Sequence, residues 1–365
     1  MSQQTDDSLC TRAAKFRGSA WRSMPYWSSR SCSLEYRVKS IDPSRGLAPA
    51  DAAGRSASRP PCSFIEVQSV RNAPRCHATC NIVGMSRTAR AAIAQQTMSI
   101  LGTGDYVLPD GRVVTITRDL KDCVEGTRLF RPEEMQAVRA ETLSKLSIPS
   151  RSIIEVEHES TLSGIARLLH EGCAPVLALN FASAMNPGGG FLNGSQAQEE
   201  SLARSSGLHA SLMKAWDFYE QHRSGSSALY SDALILSPNC PVFRDDAGSL
   251  LSTVHHATFI SGAAPNAGAL MKTCPDDLRQ IPATFRRRAE CVLALAASRG
   301  YEYIVLGAWG CGVFRNDPQL VADTFMTLLR SADWSGRFRR VVFSILDPSP
   351  SADLIRIFEA AVAAY

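Results

Sequence analysis

A triple glycine followed closely by two adjacent carboxylates is the part of this chain best suited to chemistry. In the stretch NPGGGFLNGSQAQEESL, residues 186–202, seven residues separate the glycines from Gln198, Glu199 and Glu200. Successive glycines give up side-chain packing and are costly to order, but their bare backbone lets N–H groups approach an anion closely. Adjacent residues diverge by about 100° on a helix. The two acids therefore cannot flank a sugar carbon from opposite sides, as the carboxylates of an ordinary glycosidase do.

One of the two acids could instead act as a general acid while its neighbour holds substrate hydroxyls. The protonated acid needs a raised pKa, which burial and repulsion between like charges can supply. A plain structural alternative is that the acids lie in a solvated first helical turn, where the helix dipole favours them. The glycines upstream favour the chemical interpretation.

A second glycine-rich loop, GCGVF at residues 310–314, follows another apolar strand. Ligands of open α/β sheets bind beyond the carboxyl ends of the strands, and helix N-termini after such loops add favourable partial charge. Two loops of this kind predict a site that grips a diphosphate. Neither loop has the spacing of a Rossmann fingerprint or the Gly-Lys-Ser/Thr of a Walker loop, so nicotinamide redox chemistry and ATP hydrolysis lose support.

The elements that must position these loops alternate between helix and strand from about residue 85 onward. Helices are predicted over 88–98, 132–146, 161–171, 283–300, 318–329 and 353–363. Strands are predicted over 151–160, 174–183, 232–243, 256–265, 301–310 and 339–346, with a hairpin over 106–117. This order predicts an α/β fold in one domain of roughly 280 residues, with a mixed or mostly parallel sheet.

Residues 1–84 differ from the rest of the chain in composition. They are rich in Ser, Arg and Pro, show no sustained periodicity, and carry twelve Lys or Arg against six Asp or Glu. Such a segment is predicted to be disordered, because it buries too little apolar surface to offset its chain entropy. Two alternatives stay open: a natural basic extension, or translation that begins at Met85. A nucleic-acid-binding arm is less favoured than either.

The bulk composition narrows the class of protein. The hydrophobic content of 45% and the charged content of 20% are typical of a soluble globular protein. The sequence has no run of eighteen apolar residues and no secretory signal, which predicts a cytoplasmic protein without a membrane span. Residues 85–365 carry 27 basic against 29 acidic side chains, so direct nucleic-acid binding is not expected. Cys76 and Cys80 lack a second ligand pair, so no metal or other cofactor is predicted.

The two loops together resemble a known family. The string NFASAMNPGGGFLNGSQAQEESLARSSGL and the loop VLGAWGCGVFRNDP are similar to the signatures of poly(ADP-ribose) glycohydrolases of the compact microbial type. The resemblance covers residues 88–365. It implies a macrodomain-like three-layer fold, with a mixed sheet between helices and ADP-ribose bound in a crevice at the strand ends. The site residues that it implies are Asn186, Gly188, Gly189, Gly190, Gln198, Glu199, Glu200, Gly310, Cys311, Gly312, Val313 and Phe314.

The resemblance also implies a role for several of these residues. Glu200 would be the general acid that protonates the departing 2′-hydroxyl of the ribose–ribose bond, and Glu199 would hold ribose hydroxyls. The triple glycine would line the diphosphate, and the second loop would close over it. Phe314 would pack on the ribose near the diphosphate, and Asn186 would contact the distal ribose. The implied partner is poly(ADP-ribose) or an ADP-ribosylated protein. The protein is expected to be a monomer connected with the DNA damage response. It is expected in the cytoplasm, or also in the nucleus if the organism is a eukaryote.

Two rival functions remain at this point. One is the hydrolysis of single ADP-ribose modifications on protein or nucleic acid, and the other is ADP-ribose binding without catalysis. The adjacent acids disfavour a pure reader, because a buried carboxylate beside a diphosphate is costly. Cys311 is interpreted as a small loop residue rather than a nucleophile. The triplet Arg286-Arg287-Arg288 is expected to form a solvated helix face, or alternatively to attract the polyanionic polymer.

Overall fold

A mixed β-sheet lies at the centre of the fold in the computed structural model, which describes residues 84–145 and 152–364. Nine strands occur in these residues: β1 (Asp105–Val107), β2 (Val113–Thr115), β3 (Arg128–Phe130), β4 (Ile153–Glu157), β5 (Val176–Phe181), β6 (Leu234–Arg244), β7 (Leu250–Gly262), β8 (Tyr303–Leu306) and β9 (Arg340–Ser344). Seven strands form the central sheet in the order β3-β6-β7-β5-β8-β9-β4, and β1 pairs with β2 in a separate hairpin. The pairs from β7 to β4 are parallel, whereas β3–β6 and β6–β7 are antiparallel. The sheet is therefore mixed, as expected.

Helices cover both faces of this sheet. The described residues contain eleven α-helices: α1 (Arg87–Thr103), α2 (Thr117–Gly126), α3 (Pro132–Ser144), α4 (Thr161–His170), α5 (Gln198–Ser205), α6 (Leu208–Lys214), α7 (Trp216–Ser224), α8 (Ala267–Thr273), α9 (Ile281–Ser298), α10 (Pro318–Arg330) and α11 (Asp353–Ala363). Helices α3, α9, α10 and α11 contribute to the core on one face, and α2, α4, α5, α6 and α7 to the core on the other. The result is the three-layer architecture that the sequence resemblance implied.

Strand β5 shows how the sequence builds these layers. Alternate residues of a strand point to opposite faces. Leu177 and Leu179 belong to one core, while Val176 and Ala178 belong to the other, and all four are at most 1% exposed. An uninterrupted apolar run is therefore required here, because both faces of the strand are buried.

The predicted elements are confirmed, with differences in extent. Helix α11 has the predicted bounds, whereas α1 runs five residues past its predicted end at residue 98. Helices α2, α6, α7 and α8 and strand β3 were not predicted. The three helices α6, α7 and α8 and the strand β3 are each at most nine residues long and show few periods. The predicted disordered extension and the pair Cys76 and Cys80 lie outside the described residues.

None of the helices within residues 84–145 and 152–364 is long and apolar enough to cross a membrane. In the same residues, no group of three or more His, Cys, Asp or Glu side chains is arranged to hold a metal ion.

Candidate active site

The two glycine-rich loops lie at the same edge of the sheet. Strand β5 ends at Phe181 and leads into the triple glycine, and β8 ends at Leu306 and leads into the second loop. These strands are parallel neighbours, with Ala178 opposite Val305. Their carboxyl ends therefore open onto one crevice, as the sequence predicted.

The triple glycine forms a tight turn against the acid pair. The backbone N–H of Gly189 donates to the carbonyl of Asn186 at 2.9 Å. Gly188 and Gly189 have φ angles of +71° and +60°, a region in which side chains are strained. A Cβ atom on Gly189 would also lie 2.9 Å from Cδ of Glu200. A bare backbone is needed here because a carboxylate packs directly against it.

Glu199 is the buried member of the acid pair, with 3% of its surface exposed. Its Oε2 atom accepts a hydrogen bond from the backbone N–H of Ser183 at 2.7 Å, and the Nδ2 atom of Asn180 lies 3.4 Å from its Oε1 atom. Burial raises the pKa of Glu199 to about 8, against the opposing effect of the hydrogen bond from Ser183. When Glu200 is ionised, its negative charge raises the pKa of Glu199 further. Burial therefore favours the protonated form of Glu199.

Glu200 is half-buried and has one oxygen engaged by the glycine turn. Its Oε1 atom accepts a hydrogen bond from the backbone N–H of Gly190 at 3.0 Å. No hydrogen bond to its Oε2 atom occurs in the described part of the chain, so that oxygen is available to a ligand. The carboxyl whose pKa burial raises is thus Glu199, whereas the carboxyl with an unengaged oxygen at the cleft is Glu200.

The side-chain amide of Gln198 anchors the segment that carries the acid pair. Its Nε2 atom donates to the carbonyl of Leu179 at 2.7 Å and to Oγ1 of Thr161 at 3.0 Å. Its Oε1 atom accepts from the backbone N–H of Phe181 at 2.9 Å. The amide therefore ties the start of α5 to the end of β5 and to α4. Gln198 borders the cleft, but its hydrogen bonds go to the protein itself.

The loops and the acid pair enclose a cleft of about 650 Å³. Ten of the twelve site residues expected from the sequence line it: Asn186, Gly189, Gly190, Gln198, Glu199, Glu200, Gly310, Gly312, Val313 and Phe314. Its charged lining residues are Arg90, Glu199, Glu200 and Asp246. One cation among three acids offers little charge to an anionic ligand, so backbone N–H groups must supply most of the attraction.

The other two expected residues lie behind the lining. Gly188 is buried, and a Cβ atom there would meet Ala203 and Phe191. Cys311 packs against the main core. Burial, with a smaller effect of the Asp317 charge, raises the pKa of the Cys311 thiol to about 12. A thiol that resists ionisation is a poor nucleophile, which supports its interpretation as a small loop residue.

The second loop is fixed by buried polar contacts. Gly310 has a φ of +76°, and a Cβ atom there would lie 2.7 Å from Cβ of Ala264. Asn316, 3% exposed, donates from Nδ2 to the carbonyl of Pro265 at 2.9 Å and to that of Gly310 at 3.3 Å. Val313 is 79% exposed at the tip of the loop. The base of the loop is therefore held by buried hydrogen bonds, and Val313 at its tip borders the cleft.

Phe314 is positioned by an aromatic neighbour. The ring of Tyr230 lies 6.1 Å from that of Phe314, centroid to centroid. Phe314 is half-buried, and its carbonyl accepts a hydrogen bond from the backbone N–H of Gly268 at 2.9 Å. These contacts hold the ring at the cleft wall, where one side stays open to a ligand.

Several residues that shape the site were not predicted from the sequence. Asn180 and Ser183 hold Glu199, Thr161 holds Gln198, and Asn316 holds the second loop. The one signal that could have identified Asn180 is its polar side chain within the apolar run VLALNF, because a buried amide needs hydrogen-bond partners. Nothing in the local sequence distinguishes Ser183 or Thr161 from ordinary loop and helix residues.

The expectation of a solvated arginine face is wrong for one member of the triplet. Arg286 is exposed, but Arg288 is fully buried. The guanidinium of Arg288 contacts Asp232 at 3.1 Å and donates to the carbonyls of Ala263 and Leu229 at 2.5 and 3.0 Å. These contacts fix the segment that carries Tyr230. Adjacent helix positions point in different directions, so one arginine of three faces the core.

The chain is similar to a known protein family and to solved enzyme structures. The family model described as microbial-type PARG, catalytic domain, matches residues 94–245. The structure is similar to poly(ADP-ribose) glycohydrolase from Thermomonospora curvata, with 46% identity over 75% of this chain and 99% of that chain, and a TM-score of 0.72. The same enzyme bound to the inhibitor ADP-HPD matches with 45% identity over 74% of this chain and 98% of that chain, and a TM-score of 0.69.

The structure is also similar to that of a second bacterial enzyme. Poly(ADP-ribose) glycohydrolase from Deinococcus radiodurans, in complex with ADP-ribose, is 44% identical over 67% of this chain and 97% of that chain, with a TM-score of 0.64. A search of curated proteins found no match.

Proposed function

The chain belongs to the family of microbial-type poly(ADP-ribose) glycohydrolases, and we propose on this premise that it hydrolyses the ribose–ribose O-glycosidic bonds of poly(ADP-ribose) and releases ADP-ribose. The observation that carries the proposal is the contact between the acid pair and the glycine turn. This contact places the carboxyl group of Glu200, which has one oxygen without a hydrogen bond, beside the glycine backbone. A bare backbone of this kind is suited to bind phosphate.

The diphosphate of the substrate is proposed to lie between the two glycine-rich loops. Gly189 and Gly190 line one side, and Gly310 and Gly312 line the other. Since Arg90 is the cation among the lining residues of the described chain, backbone N–H groups are proposed to bind most of the phosphate oxygens. Val313 at the loop tip then covers the ligand.

Glu200 is proposed to act first as a general acid. Its proton passes to the 2′-oxygen of the leaving ribose as the glycosidic bond to that oxygen breaks. The positive charge that develops at the anomeric carbon is stabilised by a phosphate oxygen of the substrate. Water then attacks this carbon and gives a proton back to Glu200, which restores the acid and completes the hydrolysis. The proposal is supported by the unengaged Oε2 atom of Glu200 and by the hydrogen bond from Gly190 that fixes its Oε1 atom.

Glu199 is proposed to hold the ribose hydroxyls and to position the scissile bond. Its hydrogen bonds to Ser183 and Asn180 fix its carboxyl group at the cleft wall. Because burial raises the pKa of Glu199 to about 8, this carboxyl adds little negative charge beside the diphosphate at neutral pH. A protonated Glu199 can also donate a hydrogen bond to a ribose oxygen.

Two further side chains are assigned to the ribose. Phe314 is proposed to pack on the ribose near the diphosphate, supported by its fixed place at the cleft wall against Tyr230. Asn186 is proposed to contact the distal ribose, supported by its place in the cleft lining at the start of the glycine turn. Gln198 is assigned a positioning role, because its amide is already bonded to Leu179, Thr161 and Phe181.

The experiment that tests this function compares three ligands with the purified chain in the absence of added metal. We expect release of free ADP-ribose from defined-length poly(ADP-ribose). Tight binding of ADP-ribose with intact polymer would contradict the proposal and indicate a reader. Release from a mono-ADP-ribosylated peptide, with no release from polymer, would indicate a hydrolase of single modifications.

The proposal also covers the domain organisation, the oligomeric state and the location of the enzyme. We propose that residues 85–365 form the catalytic domain and that residues 1–84 are dispensable for activity. We also propose a monomer in the cytoplasm, or in the nucleus of a eukaryote, that serves the DNA damage response. A chain shortened to residues 85–365 should keep full activity, and the intact chain should sediment as a monomer of 39.6 kDa.

A further inference from the structure

An exposed arginine, Arg223, contacts Asn186 at the start of the glycine turn and is not itself part of the cleft lining. Arg223 lies in the last turn of α7, and its Nη2 atom is 3.4 Å from Oδ1 of Asn186. Its guanidinium carbon lies 4.6 Å from the centre of the Trp216 ring, seven residues earlier on the same helix face. The stacking holds a long side chain in one place, because a cation is attracted to the face of an indole ring.

Within residues 84–145 and 152–364, the guanidinium of Arg223 forms no salt bridge with a carboxylate. Helix α7 carries two acids, Asp217 and Glu220. Asp217 is paired with Arg131 at 3.1 Å. Among the described residues, Glu220, three residues before Arg223, forms no ion pair with it within 4.0 Å. The guanidinium of Arg223 therefore keeps donors for an external group, and its planar fork suits phosphate oxygens.

Arg223 is connected to the proposed position of the scissile bond through Asn186. Asn186 lines the cleft, and the carbonyl of Asn186 accepts from Gly189 in the turn that packs against Glu200. Arg223 itself is not part of the lining. This inference rests on the proposed function: with Glu200 as the acid that protonates the leaving oxygen, we infer that the leaving part of the polymer passes Asn186 and the glycine turn that follows it. The first charged groups of that departing chain are the two phosphates of the adjacent ADP-ribose unit.

We propose that Arg223, held against Trp216, binds the diphosphate of the ADP-ribose unit on the leaving side of the scissile bond. The site distinguishes polymer from free ADP-ribose, because only the polymer has a unit beyond the bond. Arg223 contributes to the apparent affinity for polymer and leaves the affinity for ADP-ribose unchanged.

The test compares Arg223→Ala and Arg223→Lys with the parent enzyme. We expect Arg223→Ala to raise KM for poly(ADP-ribose) by about tenfold, the loss of one charge-assisted contact. The slope of log(kcat/KM) against log salt concentration should fall by about one. Arg223→Lys should give an intermediate KM, because it keeps the charge but loses the planar fork. Calorimetric titration with ADP-ribose should give the same Kd for all three proteins.

The matched control is Arg118→Ala on α2, where the side chain is 92% exposed and lies near Asp122 rather than the cleft. This variant should behave as the parent on both ligands. An unchanged KM for polymer in Arg223→Ala would overturn the inference. An equal loss of affinity for ADP-ribose and polymer would also overturn it, because Arg223 would then act only by orienting Asn186. A parent that releases nothing from polymer would instead overturn the proposed function, and this inference with it.

Discussion

The Oε1 atom of Glu200 lies 3.0 Å from the backbone nitrogen of Gly190, ten residues earlier in the chain. This contact joins the first turn of α5 to the loop that follows β5. It accounts for the spacing of the motif, since the intervening residues include a short 3₁₀ helix, Phe191–Asn193, that folds the chain back on itself. The acid and the bare backbone are therefore parts of one structure.

The glycine at position 189 is predicted to be essential for the reaction. Gly189→Ala would force a Cβ atom against Glu200 while φ stays at +60°. Moving the acid by about 1 Å should lower kcat/KM for polymer by about 100-fold or more. Steady-state assays with poly(ADP-ribose) measure this loss.

The control for backbone strain is Gly111→Ala in the β1–β2 hairpin. Gly111 has a φ of +83°, but nothing lies within 4 Å of an added Cβ atom. This variant should lose about 1–2 kcal/mol of stability and keep its activity. If both variants lost stability alike and Gly189→Ala stayed fully active, the close contact with Glu200 would have no role in catalysis.

The raised pKa of Glu199 is predicted to make stability depend on pH. The carboxyl group titrates near 4.5 in its ordinary state and at about 8 when buried in the fold. Between these values the unfolded chain has lost the proton that the folded chain retains. The contribution of Glu199 to the free energy of unfolding therefore decreases as pH rises through this window.

The measurement compares the thermal midpoints of the parent and Glu199→Gln across this window. The parent should lose stability relative to the variant as pH rises from about 5 to about 8. A constant difference between the two proteins over this range would show that Glu199 is not held protonated.

Phe314→Ala is predicted to impair turnover more than folding. The ring is half-buried and packs against Tyr230 at the cleft wall, so its loss should leave the ribose poorly placed. We expect kcat/KM to fall by about ten- to 100-fold. Phe338→Ala is the contrast, because Phe338 is fully buried in the main core and should cost about 3–5 kcal/mol of stability. A large loss of thermal stability in Phe314→Ala with normal specific activity would make Phe314 a core residue.

Arg288→Met is predicted to destabilise the fold strongly. Asp232 would keep its ion pair with Arg287. The buried carbonyl of Ala263 and that of Leu229 would, however, lose the guanidinium that donates to them. Each buried acceptor left without a partner costs about 1–3 kcal/mol. Arg286→Met, at a side chain that is 52% exposed, should change stability by less than about 1 kcal/mol. Urea unfolding of both variants measures the difference. Equal stabilities would restore the interpretation of the triplet as a solvated face.

Long elements and the catalytic motif could be predicted from the sequence because their signals are local. Helix α11 has its predicted bounds, and the apolar run of β5 identified a strand buried on both faces. The glycines and acids were found because a bare backbone beside two carboxylates is unfavourable without a function.

The remaining features depend on contacts between distant parts of the chain. The sequence could not show that Glu199 would be the buried acid, because that follows from the positions of Ser183 and Asn180 in the fold. Gln198 and Arg288 are also polar residues whose partners lie far along the chain. Local composition predicts exposure for such residues, and only the fold reveals their internal hydrogen bonds.

The release of ADP-ribose from defined-length poly(ADP-ribose) by the parent and by Glu200→Gln tests the central claim most directly. The amide keeps the shape of the side chain and an oxygen for the Gly190 N–H, but it has no acidic proton. We expect the variant to bind ADP-ribose as the parent does and to lose about 100- to 10,000-fold in turnover. Equal turnover by the two proteins would contradict the assignment of Glu200 as the general acid.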